Sequence, residues 1–331
     1  MYKRQTEEDV ATERDVILEE RRSRVDNDPG SILQEQMMAA LYENHPYGIP
    51  IIGWEHEIKA LNREDALSYY KRFYAPNNAV LIVAGDVEPD GVKTLAEENF
   101  GKIKPNASLN GRVRPQEPEH FAPVKVTLED PRAGRTTVQR FYLVPSYASA
   151  APGEAEALDL LMRVAASGSI SKLYKRLVIE DKTAASAGGW YSDSGLDSGR
   201  LGFYAIAAEK VSAEALEKAI DGVIENLREN GVTQAELDRA RASYIAEFVY
   251  TSDSQSRMAR QYGWRLATGM SVEDVEDWPE RLKKVTVEDI RNVARKYLID
   301  KNSVTGYLLP SPEITSSIGE KPAHAPGKGK S

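Results

Sequence analysis

Apolar residues recur at helical spacing through the first seventy positions, after which runs suited to strands begin to alternate with further helical stretches. TEEDVATERDVILEERRSRVD sets Val10, Val16, Ile17 and Leu18 among strong helix formers with no proline or glycine, which predicts a helix from about Glu7 to Arg24. Pro29 and Gly30 break it. SILQEQMMAALYEN then restores helical spacing through Ile32, Met37, Met38 and Leu41, a second helix that ends at the loop HPYGIP. Asn62 with Asp65 three residues on forms a predicted capping box for REDALSYYKRFY. After APNN, the apolar run AVLIVAGDV predicts a buried strand, and a helix from about Gly91 to Phe100 follows.

Lys102 to Pro123 has weak periodicity and carries Pro105, Pro115, Pro118 and Pro123, as a linker would. Beyond it, VKVTLE and TTVQRFYLVP read as strands, Gly153–Ala166 and LYKRLV as helices, and AASAGGWYS with RLGFYAIAA as a hairpin across SDSGLDSG. Helical spacing then runs to Leu298, SVTGYLLP gives a last strand, and the remaining residues lack the apolar content to fold. The expected organisation is a first unit at 1–101, a linker at 102–123, a second unit at 124–310 and a disordered tail at 311–331.

An internal repeat sharpens this picture. The segment from Trp54 aligns without gaps to that from Trp278, an offset of 224 residues, pairing Asn62 with Thr286, Asp65 with Asp289, Phe73 with Tyr297 and Asn78 with Asn302. Both copies read as cap, helix, strand. Since the second copy's first strand starts near Val124, equal units would start the first copy about a hundred residues before Met1. The first unit is therefore expected to be incomplete here, with AVLIVAGDV lacking partner strands.

Composition narrows the function classes. Of 331 residues 41% are apolar, enough for roughly two cores. A net charge of −8, from 43 basic and 51 acidic residues, gives no basic field for nucleic acid. The lack of cysteine removes disulfides, thiolate metal sites and cysteine nucleophiles together. No apolar run approaches the ~20 residues of a membrane span.

The order of ERDVILEE, HPYG, IIG, YAPNNAVLIVAGDV and SKLYKRLV resembles the pitrilysin/insulinase family of zinc metallopeptidases over nearly the whole chain, and in particular the zinc-bearing subunit type of the mitochondrial processing peptidase group. The resemblance implies an α+β fold of duplicated domains, each an antiparallel sheet with helices on one face, forming half of a clamshell around peptides. It implies zinc as the cofactor of the full-length protein, held by two histidines of an HxxEH motif and by a downstream glutamate. On the family pattern ERxxxxxE that metal ligand is Glu20, and Glu13 is the acidic residue supporting it. Helical spacing also puts Glu13 and Glu20 on a common face with Val16 and Ile17. Spacing alone equally allows Glu20 to pair with Arg24 at i,i+4 on a solvated face.

HxxEH itself is absent. The four histidines are His45, His56, His120 and His324; His45 and His56 are expected in loops or at the surface, His120 in the linker and His324 in the tail. This chain alone is therefore expected neither to bind zinc tightly nor to hydrolyse peptides, while its full-length parent would be an endopeptidase for peptides or unfolded polypeptides. The alternative is a non-catalytic scaffold or substrate-gripping subunit of the same family. Where the family grips substrate with an arginine and a tyrosine, in LRxxxGLxY, this chain has Val178 and Ala185. That difference predicts a homologous partner subunit supplying the pair, and hence a heterodimer. The family further implies a bacterial periplasmic setting.

Overall fold

The computed structural model describes residues 6–311, apart from Asn110 and Arg112. The expected tail and His324 lie outside them. Thr6 and Asp9 close a capping box on helix α1 (Glu7–Arg21), which runs on as a π-helical turn, Arg22–Asp26, rather than as regular helix to Arg24. Asp28 accepts the Gly30 N–H (3.1 Å) and Pro29 occupies the first turn of α2 (Pro29–Leu41), so the predicted break is also the next helix's start. There follow α3 (Glu55–Ala60), α4 (Arg63–Phe73) and α5 (Pro89–Phe100). After the linker come β1 (Val124–Asp130), β2 (Thr137–Val144), α6 (Glu154–Ala165), α7 (Lys172–Tyr174) with a π turn at Lys175–Glu180, β3 (Ala184–Ser192) and β4 (Gly199–Ala207). The chain then forms α8 (Ala213–Asn230), α9 (Gln234–Thr251), α10 (Gln255–Ala267), α11 (Val272–Glu276), α12 (Trp278–Lys284), α13 (Val287–Tyr297) and β5 (Ser303–Pro310).

The strands make one sheet in the order β1-β5-β2-β4-β3. The expected hairpin forms, with Ala187 opposite Ala205 and Trp190 opposite Gly202. One pair departs from the antiparallel expectation: β1 runs parallel to β5, Val124 opposite Val304. No hairpin joins these two strands; they lie at opposite ends of the unit, and a parallel pair needs such a long crossover.

Alternation along β2 divides the core in two. Val138, Tyr142 and Val144 face a large cluster built with α6, α8, α9 and α13, through Leu158, Leu161, Leu216, Leu237 and Ile290. Phe141 faces the opposite way, onto Leu33, Met37 and Leu41 of α2, with Val304 and Leu308 of β5. The helices drawn from 124–310 thus line one face, as expected, while a helix from the N-terminal hundred residues covers part of the other. Full burial of those three α2 side chains stabilises this docking by roughly 1.5–3 kcal/mol each. Gly306 permits the close approach, because a Cβ there would overlap Met37 Sδ.

The repeat is visible in three dimensions. The second helix, α13, and its counterpart α4 have equal length, each opens on a capping box, Asn62/Asp65 and Thr286/Asp289, and each is followed by a 3-10 turn, Pro76–Asn78 and Asp300–Asn302. Register holds at 224 throughout. It ends at the strand: β5 pairs on both sides, whereas the corresponding 79–87 is not a strand, and Val80, Leu81, Val83 and Val87 are exposed. Capping and helix formation are local, but a strand exists only through partners, and no described strand pairs with this segment.

A buried polar cluster links α6 to the end of the β3–β4 hairpin. Tyr147 Oη donates to Asp159 Oδ2 (2.5 Å) and accepts from Trp278 Nε1 (2.6 Å), while Arg281 Nε donates to buried Glu156 (2.6 Å). Arg265 of α10 stacks on the Tyr147 ring, 4.5 Å from its centroid, and pairs with Asp193 (2.5 Å). Burial, followed by the charge of Asp193, pushes the Asp159 carboxyl up to about 7 against the opposing pull of Tyr147 and Arg265.

Candidate functional cleft

Because α2 covers the sheet only over β1, β5 and β2, the end of the β3–β4 hairpin is left facing a cleft of about 1050 Å³. One wall is Glu20, Arg24, Glu35 and the loop at 46–52. The opposite wall is the hairpin turn at 192–200, with Trp264 of α10 and Thr268 just past its end closing one side.

The first wall is fixed by Arg21. This 6% exposed guanidinium makes two parallel bonds to Glu35, Nη1 to Oε2 at 2.8 Å and Nη2 to Oε1 at 2.9 Å, and Nη1 also reaches Gly53 O at 3.0 Å. One residue therefore ties α1, α2 and the approach to α3 together, and the bond to Glu35 holds Arg21 above its usual range.

The two walls are clasped at HPYG. His45 Nδ1 accepts the Tyr47 N–H (3.2 Å), so its Nε2 carries the proton donated to Asp197 Oδ2 (3.1 Å) in the hairpin turn. Arg114 from the linker binds the same carboxylate at 2.5 and 3.2 Å. Burial works to raise Asp197, but Arg114 and His45 outweigh it and the net shift is downward. Tyr47 Oη accepts the Leu196 N–H (3.0 Å). Glu117, also from the linker, accepts the N–H groups of Glu43 (2.6 Å), Asn44 (3.3 Å) and His45 (2.9 Å), with His120 Nε2 at 3.3 Å. His45 lies in its loop and His120 in the linker, as expected, but both are buried rather than exposed, because carboxylates take up their ring nitrogens: Asp197, 152 residues away, for His45 and the neighbouring Glu117 for His120. His56 is exposed on α3, as expected.

Glu20 stands on the cleft rim at the C-terminal end of α1, with its carboxylate 2.8 Å from Arg24 Nη2, the i,i+4 pair that spacing allowed. Glu13 is two turns back on the same helix and exposed, and Val16, expected on an apolar stripe with them, is exposed as well. Among the described residues no group of three His, Cys, Asp or Glu could hold a metal ion, so these residues by themselves do not fit a zinc site. Val178 packs at the edge of the large core and Ala185 lies exposed at the start of β3. Neither side chain can hydrogen-bond a substrate.

Arg200 is the cleft residue that the motifs did not reveal. It leads β4 on the face opposite Leu201 and Phe203, 5.0 Å above the Trp190 ring and beside the Tyr42 hydroxyl. The alternation of RLGFYAIAA carried the signal, since Arg200 falls out of phase with the core positions.

Residues 60–244 match the M16 peptidase inactive domain. The chain belongs to the M16, or pitrilysin/insulinase, peptidase family. It is 29% identical over 308 residues to the zinc protease PqqE of Helicobacter pylori, covering 92% of this chain and 68% of that protein. It is 27% identical over 328 residues to a probable mitochondrial-processing peptidase subunit beta of Schizosaccharomyces pombe, covering 93% and 69%. Among solved structures, a protease from Helicobacter pylori superposes with a TM-score of 0.84 at 28% identity, over 92% of this chain and 73% of that one. The chain thus spans about two thirds of the length of the curated M16 relatives it matches.

Proposed function

We propose that this chain carries the substrate cleft of a zinc-dependent M16 endopeptidase acting on peptides or unfolded polypeptides. The observation that carries the reading is the cleft itself, about 1050 Å³ and walled by residues 20–52 on one side and 192–268 on the other, with Glu20 at its edge. In the whole protein Glu20 is one metal ligand and Glu13 its support, the HxxEH residues coming from outside the described set. The zinc-protease names of the relatives support zinc as the metal; Glu20 and Glu13 rest on the ERxxxxxE pattern.

Binding of a fluorescein-labelled unfolded polypeptide, followed by anisotropy, tests the cleft. Saturable binding that weakens when Trp264→Glu puts a charge on its wall is the expected result, and no binding at all would refute the reading. Zinc calorimetry on the same chain tests the ligand assignment: no sub-micromolar stoichiometric site is expected, and finding one that Glu20→Ala alone abolishes would overturn it.

The second reading is a non-catalytic scaffold or gripping subunit, favoured by the Glu20–Arg24 pair. With Val178 and Ala185 in the arginine and tyrosine positions, we place the enzyme in a heterodimer whose partner supplies both residues. Full peptide hydrolysis by a size-defined monomer or homodimer of the whole protein would count against this pairing.

A further inference from the structure

The carboxylates lining the cleft and those beside it in the hairpin turn are already matched to cations: Glu35 to Arg21, Glu20 to Arg24, Asp193 to Arg265 and Asp197 to Arg114. Arg200 is different. Among the described residues no carboxylate pairs with it, its Nε is buried without a hydrogen-bond partner, and Tyr42 is the polar side chain beside it. Burial accordingly works against its charge and lowers its pKa. The guanidinium is nonetheless held ready. Trp190 supports one face at 5.0 Å, an arrangement that stabilises a cation, and the Tyr42 oxygen takes up part of the guanidinium's donor set without neutralising its charge. Gly202 makes room for that indole, since a Cβ there would overlap its six-membered ring. The Tyr42 O–H is committed to Ser198 O (3.0 Å), which fixes the phenol oxygen on the other side. A partly desolvated, immobilised and unneutralised arginine in a peptide-sized cleft is the chemistry that binds a carboxylate through two parallel bonds.

We propose that Arg200 anchors a carboxylate of the bound peptide, either an Asp or Glu side chain or the free C-terminal carboxylate. The inference rests on the cleft being a peptide site and deepens that reading by giving the substrate an acidic feature. A protein with net charge −8 would otherwise favour basic peptides; Arg200 makes one local exception inside the cleft.

The test compares four labelled peptides by anisotropy on the intact chain: one with an internal Glu and a free C-terminus, its Gln counterpart, its C-terminal amide, and the doubly neutral form. One carboxylate should strengthen binding by about 10- to 100-fold over the doubly neutral peptide, the range of a charge-assisted bidentate contact. Loss on Gln replacement alone assigns the side chain; loss on amidation alone assigns the C-terminus. Arg200→Gln should abolish the preference for a carboxylate, and Arg200→Lys should keep part of it. Equal binding of all four peptides to the native chain overturns the inference while leaving the peptide cleft standing, and needs no variant to fold. A preference that persists in Arg200→Gln overturns it equally. Failure of every peptide to bind refutes the cleft reading, and this inference with it.

Discussion

Asp159→Asn should raise stability at neutral pH and leave it nearly unchanged near pH 4. The Asp159 carboxyl is 9% exposed, and burial with the nearby Asp193 lifts it from an ordinary 3.8 to about 7. Its folded pKa thus lies above its unfolded one. Below about pH 4 both states hold the proton and nothing is lost; between about pH 4 and pH 7 the unfolded chain has released a proton that the folded chain retains and stability falls, the loss levelling off as the folded carboxyl ionises above 7. The rise from 3.8 to about 7 corresponds to roughly 4 kcal/mol in full, of which somewhat more than half develops between pH 5 and pH 8. Asparagine does not titrate and can still accept the Tyr147 hydroxyl bond through its carbonyl oxygen, so the variant removes the charge term with little change in shape. Urea unfolding of both proteins across pH 5–8 provides the assay. Other groups titrate alike in the two, so the difference between the curves isolates this carboxyl. The variant's advantage should grow by roughly 2–3 kcal/mol over that interval. Parallel curves, with a constant difference at every pH, would refute the reasoning.

Arg21→Leu should destabilise the chain by about 3–5 kcal/mol because Glu35 is left without its bidentate partner in a largely desolvated place, whereas Arg21→Leu with Glu35→Leu should recover most of that loss. A double-mutant cycle in urea checks it, and additive losses would contradict it. Gly306→Ala should destabilise by about 1–3 kcal/mol through overlap with Met37, and Met37→Ala should partly rescue it, as thermal unfolding of the three variants would show.

What the sequence displayed depended on how local the determinant was. Caps, helix spacing and the turn between β3 and β4 are written within a few residues, and the structure bears out the boxes at Asn62/Asp65 and Thr286/Asp289 and the hairpin, while the box at Thr6 was not expected. AVLIVAGDV has the composition of β5 and its place in the repeat, but its backbone groups can be satisfied only by neighbours that no local pattern specifies. That the loop residue His45 is buried was not legible, because its partner Asp197 is 152 residues away. Arg200 is similarly invisible as a motif; only the phase of its strand separates it from a solvated surface arginine, and only Tyr42, Trp190 and the paired cleft carboxylates make that phase matter.

The clasp made by Arg114, Glu117 and His45 changes what the proline-rich stretch is for. A tether transmits only the fact of connection, whereas this one carries a carboxylate that closes the backbone at 43–45 and a guanidinium that holds the hairpin turn at Asp197. Its residues act as a rivet through the cleft's two walls rather than as a length of string between them. Cutting the chain ahead of Val113 would then sever the peptide bond without freeing the walls, while neutralising Glu117 would loosen them with every covalent bond intact.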